Sequence, residues 1–356
     1  MLGNIMKNTK PLYLLILGAI LIASTHMRFG FGFLIFIEAI PFLIYLERSQ
    51  TLRSQILLFA FLFLGWSLAI AKIVTDPLPW FITFGFSLPI SFFKYLPFLG
   101  YLLFKDSKYS EWLFPAMLVI GEWLQASFSP FASWGSVAYT QINNPIWLQI
   151  VSVGGIWMLS YSIYFIVYQI YLLIGQGYTH KIGVRLITPV LILSLFGTVR
   201  LTLAENKSVE SIIVAAVGTN SIIGGPDMPS ADARSRNRSD IYDRMRIAGQ
   251  AGAKLIVWTE AAAGLLPNEE QSFQTEVSQL SDSLKVTSVI SYVVLQSTDP
   301  FLYENKYILV DSTGEITSTY HKHEPVPGEP CIPGVESHEV YNLDGVSRQS
   351  NSDKIA

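Results

Sequence analysis

Between residues 11 and 204 the chain consists of long apolar runs, at about 11–27, 29–47, 54–74, 81–104, 112–128, 146–176 and 184–203. Each approaches the ~20 residues a helix needs to cross a bilayer, so the pattern predicts about seven spanning helices. The fourth run is interrupted by Pro89 and Pro97. The breaks are short and several hold charge or proline: His26-Met27-Arg28, Glu47-Arg48, Asp76-Pro77, Lys105-Asp106-Ser107-Lys108 and His180-Lys181.

After Ala204-Glu205-Asn206-Lys207-Ser208 the pattern changes to short apolar stretches alternating with amphipathic ones, the signature of an α/β domain. A buried strand is predicted over 212–217 and a helix over 231–253, with Ile241, Met245 and Ala248 on one face. A strand over 255–260 follows, then a helix over 268–284 with Phe273, Val277, Leu280 and Leu284 in phase. A third strand covers 286–294, and 306–311 pairs with 316–320 through Ser312-Thr313-Gly314-Glu315. Residues 320–334 hold too much Pro and Gly for regular structure, and the tail from 342 to 356 has no apolar period and reads as disordered. The expected organisation is an N-terminal segment 1–10, a membrane domain 11–204, a polar domain 205–341 and a tail 342–356.

Composition agrees: 51% of residues are hydrophobic and only 14% charged, against roughly 25% in a soluble chain. Lys7 and Lys10 before an apolar run resemble a signal peptide, but further runs make it the first span of a set. With the N-terminus inside, eight basic residues fall in inside segments (Lys7, Lys10, Arg48, Arg53, Lys105, Lys108, Lys181, Arg185) against three outside (Arg28, Lys72, Arg200). Seven spans then place the polar domain opposite the N-terminus, which in a bacterial inner membrane is the periplasm. A net charge of −3, with no basic stripe, Walker loop or zinc-type spacing, argues against nucleic acid and metal. The single cysteine, Cys331, forms no internal disulfide.

Three regions carry candidate chemistry. Glu260 ends the run Leu255-Ile256-Val257-Trp258-Thr259, either as a carboxylate delivered to a strand's C-terminal end or as a cap on a helix starting in Ala261-Ala262-Ala263. Residues 127–145 form an uncharged loop with Trp134, Tyr139 and Gln141, which suits the bilayer interface as a lipid contact or a simple anchor. Just before it, Glu122 is the one acid in the fifth run, either functional or reaching the surface near the helix end. In the loop Tyr320-His321-Lys322 to Pro327-Gly328-Glu329, Lys322 and Glu329 have the charges to assist acyl transfer, or are solvated surface groups.

In this order the parts resemble bacterial apolipoprotein N-acyltransferase, a membrane branch of the nitrilase (carbon–nitrogen hydrolase) superfamily, over about residues 11–335. Trp258-Thr259-Glu260 resembles the family's Trp-Pro-Glu, Tyr320-His321-Lys322 its Tyr-x-Lys, and Pro327-Gly328-Glu329 its Pro-Phe-Gly-Glu. Ser133-Trp134-Gly135 through Gln141, with Gln149 and Gly155, resembles the segment before its sixth span. The resemblance implies an αββα nitrilase-like domain and a Glu-Lys-Cys triad. Glu260 is its general base, a role that suits a carboxylate if burial raises its pKa toward neutrality, Lys322 stabilises the oxyanion, and Glu329 is the second glutamate. It further implies a phospholipid acyl donor, a diacylglyceryl-cysteine lipoprotein acceptor, no cofactor or metal, and a monomer.

The family's nucleophile lies beyond a further strand in an Ile-Cys-Tyr-Glu-like turn, which this sequence lacks, as it lacks an eighth span. Cys331, nine residues from Lys322, has no predicted strand-to-helix turn to present it and no helix N-terminus to activate it. The expectation is therefore a truncated, inactive product whose open sheet edges make it aggregation-prone. The alternative is a non-catalytic membrane protein that binds lipids or lipoproteins. A transporter is disfavoured by the few charges in the spans.

Overall fold

The computed structural model describes residues 9–74, 79–205, 211–219, 228–326 and 329–335. Lys7, Asp76-Pro77, the boundary at 206–208, Pro327-Gly328 and the tail 342–356 lie outside them. The chain divides into two units, Met1–Lys207 and Ser208–Ala356. The expected fold class is observed: a helical unit followed by an α/β unit.

The helical unit runs α1 (Pro11–Thr25), α2 (Ile35–Glu38), α3 (Ile40–Arg48), α4 (Leu52–Ile70), α5 (Ile82–Phe104), α6 (Ser110–Phe128), α7 (Pro145–Leu148), α8 (Val151–Gln176) and α9 (His180–Glu205). Four of these, α4, α5, α8 and α9, are long and apolar enough to cross a membrane, and α1 is a shorter apolar helix. The run 29–47 is divided between a 3-10 turn at Gly32–Leu34, α2 and α3, because Pro41 cannot donate within a continuous helix. The run 146–176 breaks at Gly154-Gly155, where Gly155 takes φ +61, a left-handed value that favours glycine.

Proline also shapes the packing of α5 on α6. Pro97 has no N–H, so the Phe93 carbonyl loses its helical donor, and a Cβ on Gly121 would lie 2.7 Å from that oxygen. Glycine therefore lets α6 approach α5 here, bringing Glu122 beside Lys94. A core of Leu15, Phe42, Leu58, Trp66, Phe114 and Tyr168 fills the space between the helices.

The α/β unit contains one seven-stranded sheet. Its elements are β1 (Val214–Val217), α10 (Ala231–Gln250), β2 (Leu255–Trp258), β3 (Ala263–Leu265), α11 (Glu270–Leu284), β4 (Thr287–Thr298), β5 (Phe301–Val310), β6 (Ile316–His321) and β7 (Cys331–Ile332). The order is β1-β2-β4-β5-β6, with β3 pairing β4 and β7 pairing β5. The first three of that order are parallel and β4-β5-β6 antiparallel. Ile241 and Met245 of α10 and Phe273, Val277 and Leu280 of α11 share one core with Ile256, Ile290, Tyr292 and Ile308, so both helices cover the same sheet face. Among the described residues the αββα expectation is thus represented by one sheet and one helical layer.

Strand ends differ from the sequence reading where alternation is weak. Residues 263–265 form β3, so no helix starts after Glu260 and the capping role does not hold. The hairpin partner of β4 begins at Phe301, five residues earlier than expected, and Cys331-Ile332 adds a short strand within the Pro-rich loop.

Candidate functional site

Glu260 owes its position to an interruption in the sheet. Val257 of β2 pairs with Val289 of β4, and Ala263 of β3 pairs with Tyr292 of the same strand. Six residues of chain advance along three of β4, so the excess is looped out at Thr259–Ala262. Hydrogen bonds hold the loop: Thr259 N–H donates to Val217 O at 3.0 Å, Ala261 N–H donates to Ser291 Oγ at 2.9 Å, and Asn237 Nδ2 donates to Ala262 O at 2.7 Å. Ala261 takes φ +51, a left-handed turn that a small residue accommodates.

Opposite this loop, strand alternation divides β5 between two faces. Ile308 and Val310 point into the helix-covered core, and Lys306 reaches Glu270 of α11 at 3.0 Å. The odd positions Tyr303 and Asn305 face the other way. Asn305 Nδ2 donates to Glu260 Oε1 at 2.9 Å, and Tyr303 Oη donates to Glu329 Oε1 at 3.2 Å. Lys322 follows the end of β6, its N–H donating to Asn305 O at 2.9 Å.

Lys322 Nζ lies 2.7 Å from Glu260 Oε1 and 2.7 Å from Glu329 Oε2, so one ammonium bridges two carboxylates. Glu329 also accepts from Val326 N–H at 2.8 Å, which folds the loop back onto the site. Partial burial works to lower the Lys322 pKa, but the Glu260 and Glu329 carboxylates outweigh it and hold it up at about 12. Burial likewise works to raise Glu329, and the Lys322 ammonium, the Val326 N–H and the Tyr303 hydroxyl pull it below the usual carboxylate range. Glu260 is half exposed, its side chain 51% accessible, so the burial expected to support a base role is not seen.

Cys331 lies in β7, paired with Tyr303 and buried against Val293 and Tyr303. Burial raises its thiol pKa, and the nearby Glu329 carboxylate adds to the rise. A thiol of this kind is mostly protonated at neutral pH and a poor nucleophile. The structure therefore brings Glu260, Lys322 and Glu329 together and places Cys331 inside a strand pair. Asn305, Tyr303 and Ser291 were missed in the sequence. The signal for Asn305 was a polar residue between two tyrosines at alternate positions, Tyr303 and Tyr307, on the register opposite Glu304 and Lys306.

In the helical unit Glu122 does not reach the surface, being 2% exposed. Its carboxylate accepts from Lys94 Nζ at 2.6 Å, Tyr164 Oη at 2.7 Å, Ser136 Oγ and Ser160 Oγ at 2.8 Å, and Val137 N–H at 3.0 Å. Two of these donors, Ser136 and Val137, begin the 3-10 helix Val137–Gln141. Lys94 was legible as the lone cation in the middle of the fourth apolar run.

The uncharged loop is therefore an anchored structure. Gln125 Nε2 donates to Ala132 O and Trp134 O. Trp134 packs on Phe86 and Phe131, and half-exposed Tyr139 shares a 2.6 Å hydrogen bond with Ser133. Gln141 is buried and held by Thr140 and Asn144, so it faces inward. Among the described residues no group of three or more His, Cys, Asp or Glu side chains could hold a metal.

Comparison with known proteins gives three findings. Residues 18–168 match the family model for the apolipoprotein N-acyltransferase N-terminal domain. The chain is 31% identical over 169 residues to apolipoprotein N-acyltransferase 1 of Treponema denticola, across 44% of this chain and 30% of that relative's length. Solved structures similar to it include a mutant amidase from Nesterenkonia sp. AN1 in complex with butyramide (17% identity, 36% of this chain and 51% of that one, TM-score 0.29). Another is a carbon-nitrogen hydrolase from Helicobacter pylori G27 (14% identity, 34% and 44%, TM-score 0.27). Over residues 18–168 the chain is thus similar to the N-terminal domain of apolipoprotein N-acyltransferase, and it spans 30% of the length of the Treponema denticola relative.

Proposed function

We propose that the chain is an apolipoprotein N-acyltransferase-like membrane protein. Its substrates would be a phospholipid, as acyl donor, and a lipoprotein bearing a diacylglyceryl-cysteine, whose N-terminal amine accepts the chain. Its membrane is the bacterial inner membrane, with the N-terminus cytoplasmic and the polar domain periplasmic. The observation that carries the reading is the Lys322 ammonium shared by Glu260 and Glu329 at the sheet face free of α10 and α11.

The chemistry follows from that pair of contacts. Acyl transfer passes through a tetrahedral oxyanion, and a cation held in place beside the reacting carbonyl stabilises it. With a pKa of about 12, Lys322 stays protonated throughout the neutral range. Glu260, half exposed and fixed by Asn305, is the carboxylate placed to accept a proton from an attacking thiol or amine. The test uses the chain in vesicles with a phospholipid labelled in its acyl chain and a diacylglyceryl peptide. Label should pass to the peptide amine, and Glu260→Gln and Lys322→Met should each abolish it. Transfer undiminished in both variants would refute the assignment.

One observation favours a second reading, non-catalytic binding of lipids or lipoproteins. Cys331, the one cysteine of the chain, is buried in a strand pair with its thiol pKa raised. Capture of the diacylglyceryl peptide without label transfer, and unchanged by Glu260→Gln, would select this reading.

A further inference from the structure

Far from the uncharged loop, at the opposite end of α6, the helical unit holds a groove of about 280 Å³ that the acyl-transfer reading does not use. Its walls are Trp112 of α6, Tyr161 and Phe165 of α8, and Arg185, Pro189 and Ile192 of α9. Arg185, Pro189 and Ile192 recur at four and three residues, so they line one side of α9 over about 10 Å of helix rise. The groove opens outward: Trp112 and Ile192 are exposed on helices whose outer faces are apolar.

Charge is concentrated at one end of it. Glu111 begins α6 and Arg185 lies near the start of α9, and their ion pair shows that both helix starts lie on the same side. The segments at that end carry Lys105, Lys108, Lys181 and Arg185 against Asp106 and Glu111, a positive balance. Arg185 also lies over the Trp112 ring at 5.8 Å. A guanidinium has five N–H donors; one terminal nitrogen serves Glu111, and the other guanidinium nitrogens have no hydrogen-bond partner among the described residues. Pro189, lacking an N–H, also leaves the Arg185 carbonyl without its helical donor, an acceptor at the groove wall.

We propose that this groove binds an anionic phospholipid, one acyl chain lying along Trp112, Phe165 and Ile192 and the phosphate at the free donors of Arg185. Guanidinium donors match phosphate oxygens in pairs, and the surplus of positive charge selects an anionic headgroup over a zwitterionic one. This site is independent of Glu260 and Lys322, and its test requires no acyl transfer.

The full chain is reconstituted in phosphatidylcholine vesicles containing a minor fraction of lipid brominated on its acyl chain, either phosphatidylglycerol or phosphatidylcholine. The emission of Trp112, taken as the difference between the chain and its Trp112→Phe variant, reports the bromines in the groove. Brominated phosphatidylglycerol should quench at a concentration about fivefold lower than brominated phosphatidylcholine, the preference one basic residue supplies at a membrane surface. Arg185→Gln should weaken the preference. Thr188→Phe, which narrows the groove and keeps the Glu111–Arg185 pair, should reduce quenching by both lipids. Equal quenching by the two lipids in the unmodified chain, or a preference undiminished by Arg185→Gln, would overturn the proposal. If Arg185→Gln is not recovered in vesicles, Thr188→Phe decides: full quenching despite the filled groove would overturn it.

Discussion

Asn305 holds the two sides of the polar site at once, its side-chain Nδ2 donating to Glu260 at 2.9 Å and its backbone carbonyl accepting from Lys322 N–H at 2.9 Å. One strand position thus sets the separation between a carboxylate on the β2–β3 loop and an ammonium beyond β6. Asn305→Ala is expected to cost about 1–2 kcal/mol through the lost hydrogen bond and the vacated buried space. Asn305→Asp, which faces Glu260 with a second carboxylate, is expected to cost more. Hydrogen exchange should speed up in Leu255–Trp258 and Phe301–Val310 in both variants, more strongly in the aspartate.

Lys322→Met leaves Glu260 and Glu329 without their shared cation and is expected to destabilise the polar unit by about 2 kcal/mol at neutral pH, less than for a fully buried pair. The loss should depend on pH in a definite direction. Because the folded Glu329 pKa lies below 4.5, its contribution to wild-type stability is complete above that value and disappears as pH falls through the folded pKa. The gap between wild type and variant should therefore close on acidification. Lys322, raised from 10.5 to about 12, loses its contribution only as pH rises through about 12, outside that window. Thermal unfolding followed from neutral pH down through the acid range below 4.5 measures the difference.

Cys331 should react slowly with maleimide in the folded chain and rapidly after denaturation, since burial both shields the thiol and raises its pKa. The native rate should climb as pH rises above that of a free thiol's ordinary titration. If Cys331 is not a nucleophile, Cys331→Ala leaves any acyl transfer unchanged. Fast labelling at neutral pH in the folded state would return it to consideration.

Glu122→Gln is expected to destabilise the helical unit by about 3–5 kcal/mol, because Lys94 would remain buried with no counter-charge. Lys94→Met combined with Glu122→Gln should recover part of that loss. Thermal unfolding in detergent gives the magnitude, and proteolysis within residues 129–144 gives the location. The loop should be cut faster in the single variant, since the Glu122 carboxylate holds Ser136 and Val137.

The local pattern foretold the elements well where periodicity was strong and poorly where it was not. Ile241 and Met245, and Phe273, Val277 and Leu280, sit in the core as their spacing required. Ala263-Gly264-Leu265 was missed as a strand because small residues carry little β-preference and its pairing with Tyr292–Val294 is set by β4. Asn305 was overlooked because the alternation that would have extended β5 back to Phe301 is blurred by Glu304 and Lys306, which pair with each other while Lys306 also reaches Glu270 of α11.

By itself the sequence determined the two units, the apolar helices, the α/β character of the second unit, and the residue types at its candidate site. Those properties follow from local composition and period, which act over a few neighbouring residues. The tertiary structure alone decided that Glu260 sits on a looped-out excursion and not at a helix start, that Lys322 is shared by two carboxylates, that Cys331 is closed into a strand pair, and that Glu122 is buried with Lys94. Each depends on residues far apart in the chain, Glu260 with Lys322 through the register along β5 and Glu122 with Lys94 through the close approach at Gly121. Such juxtapositions are fixed by packing and strand pairing, which a local hydrophobic pattern does not encode.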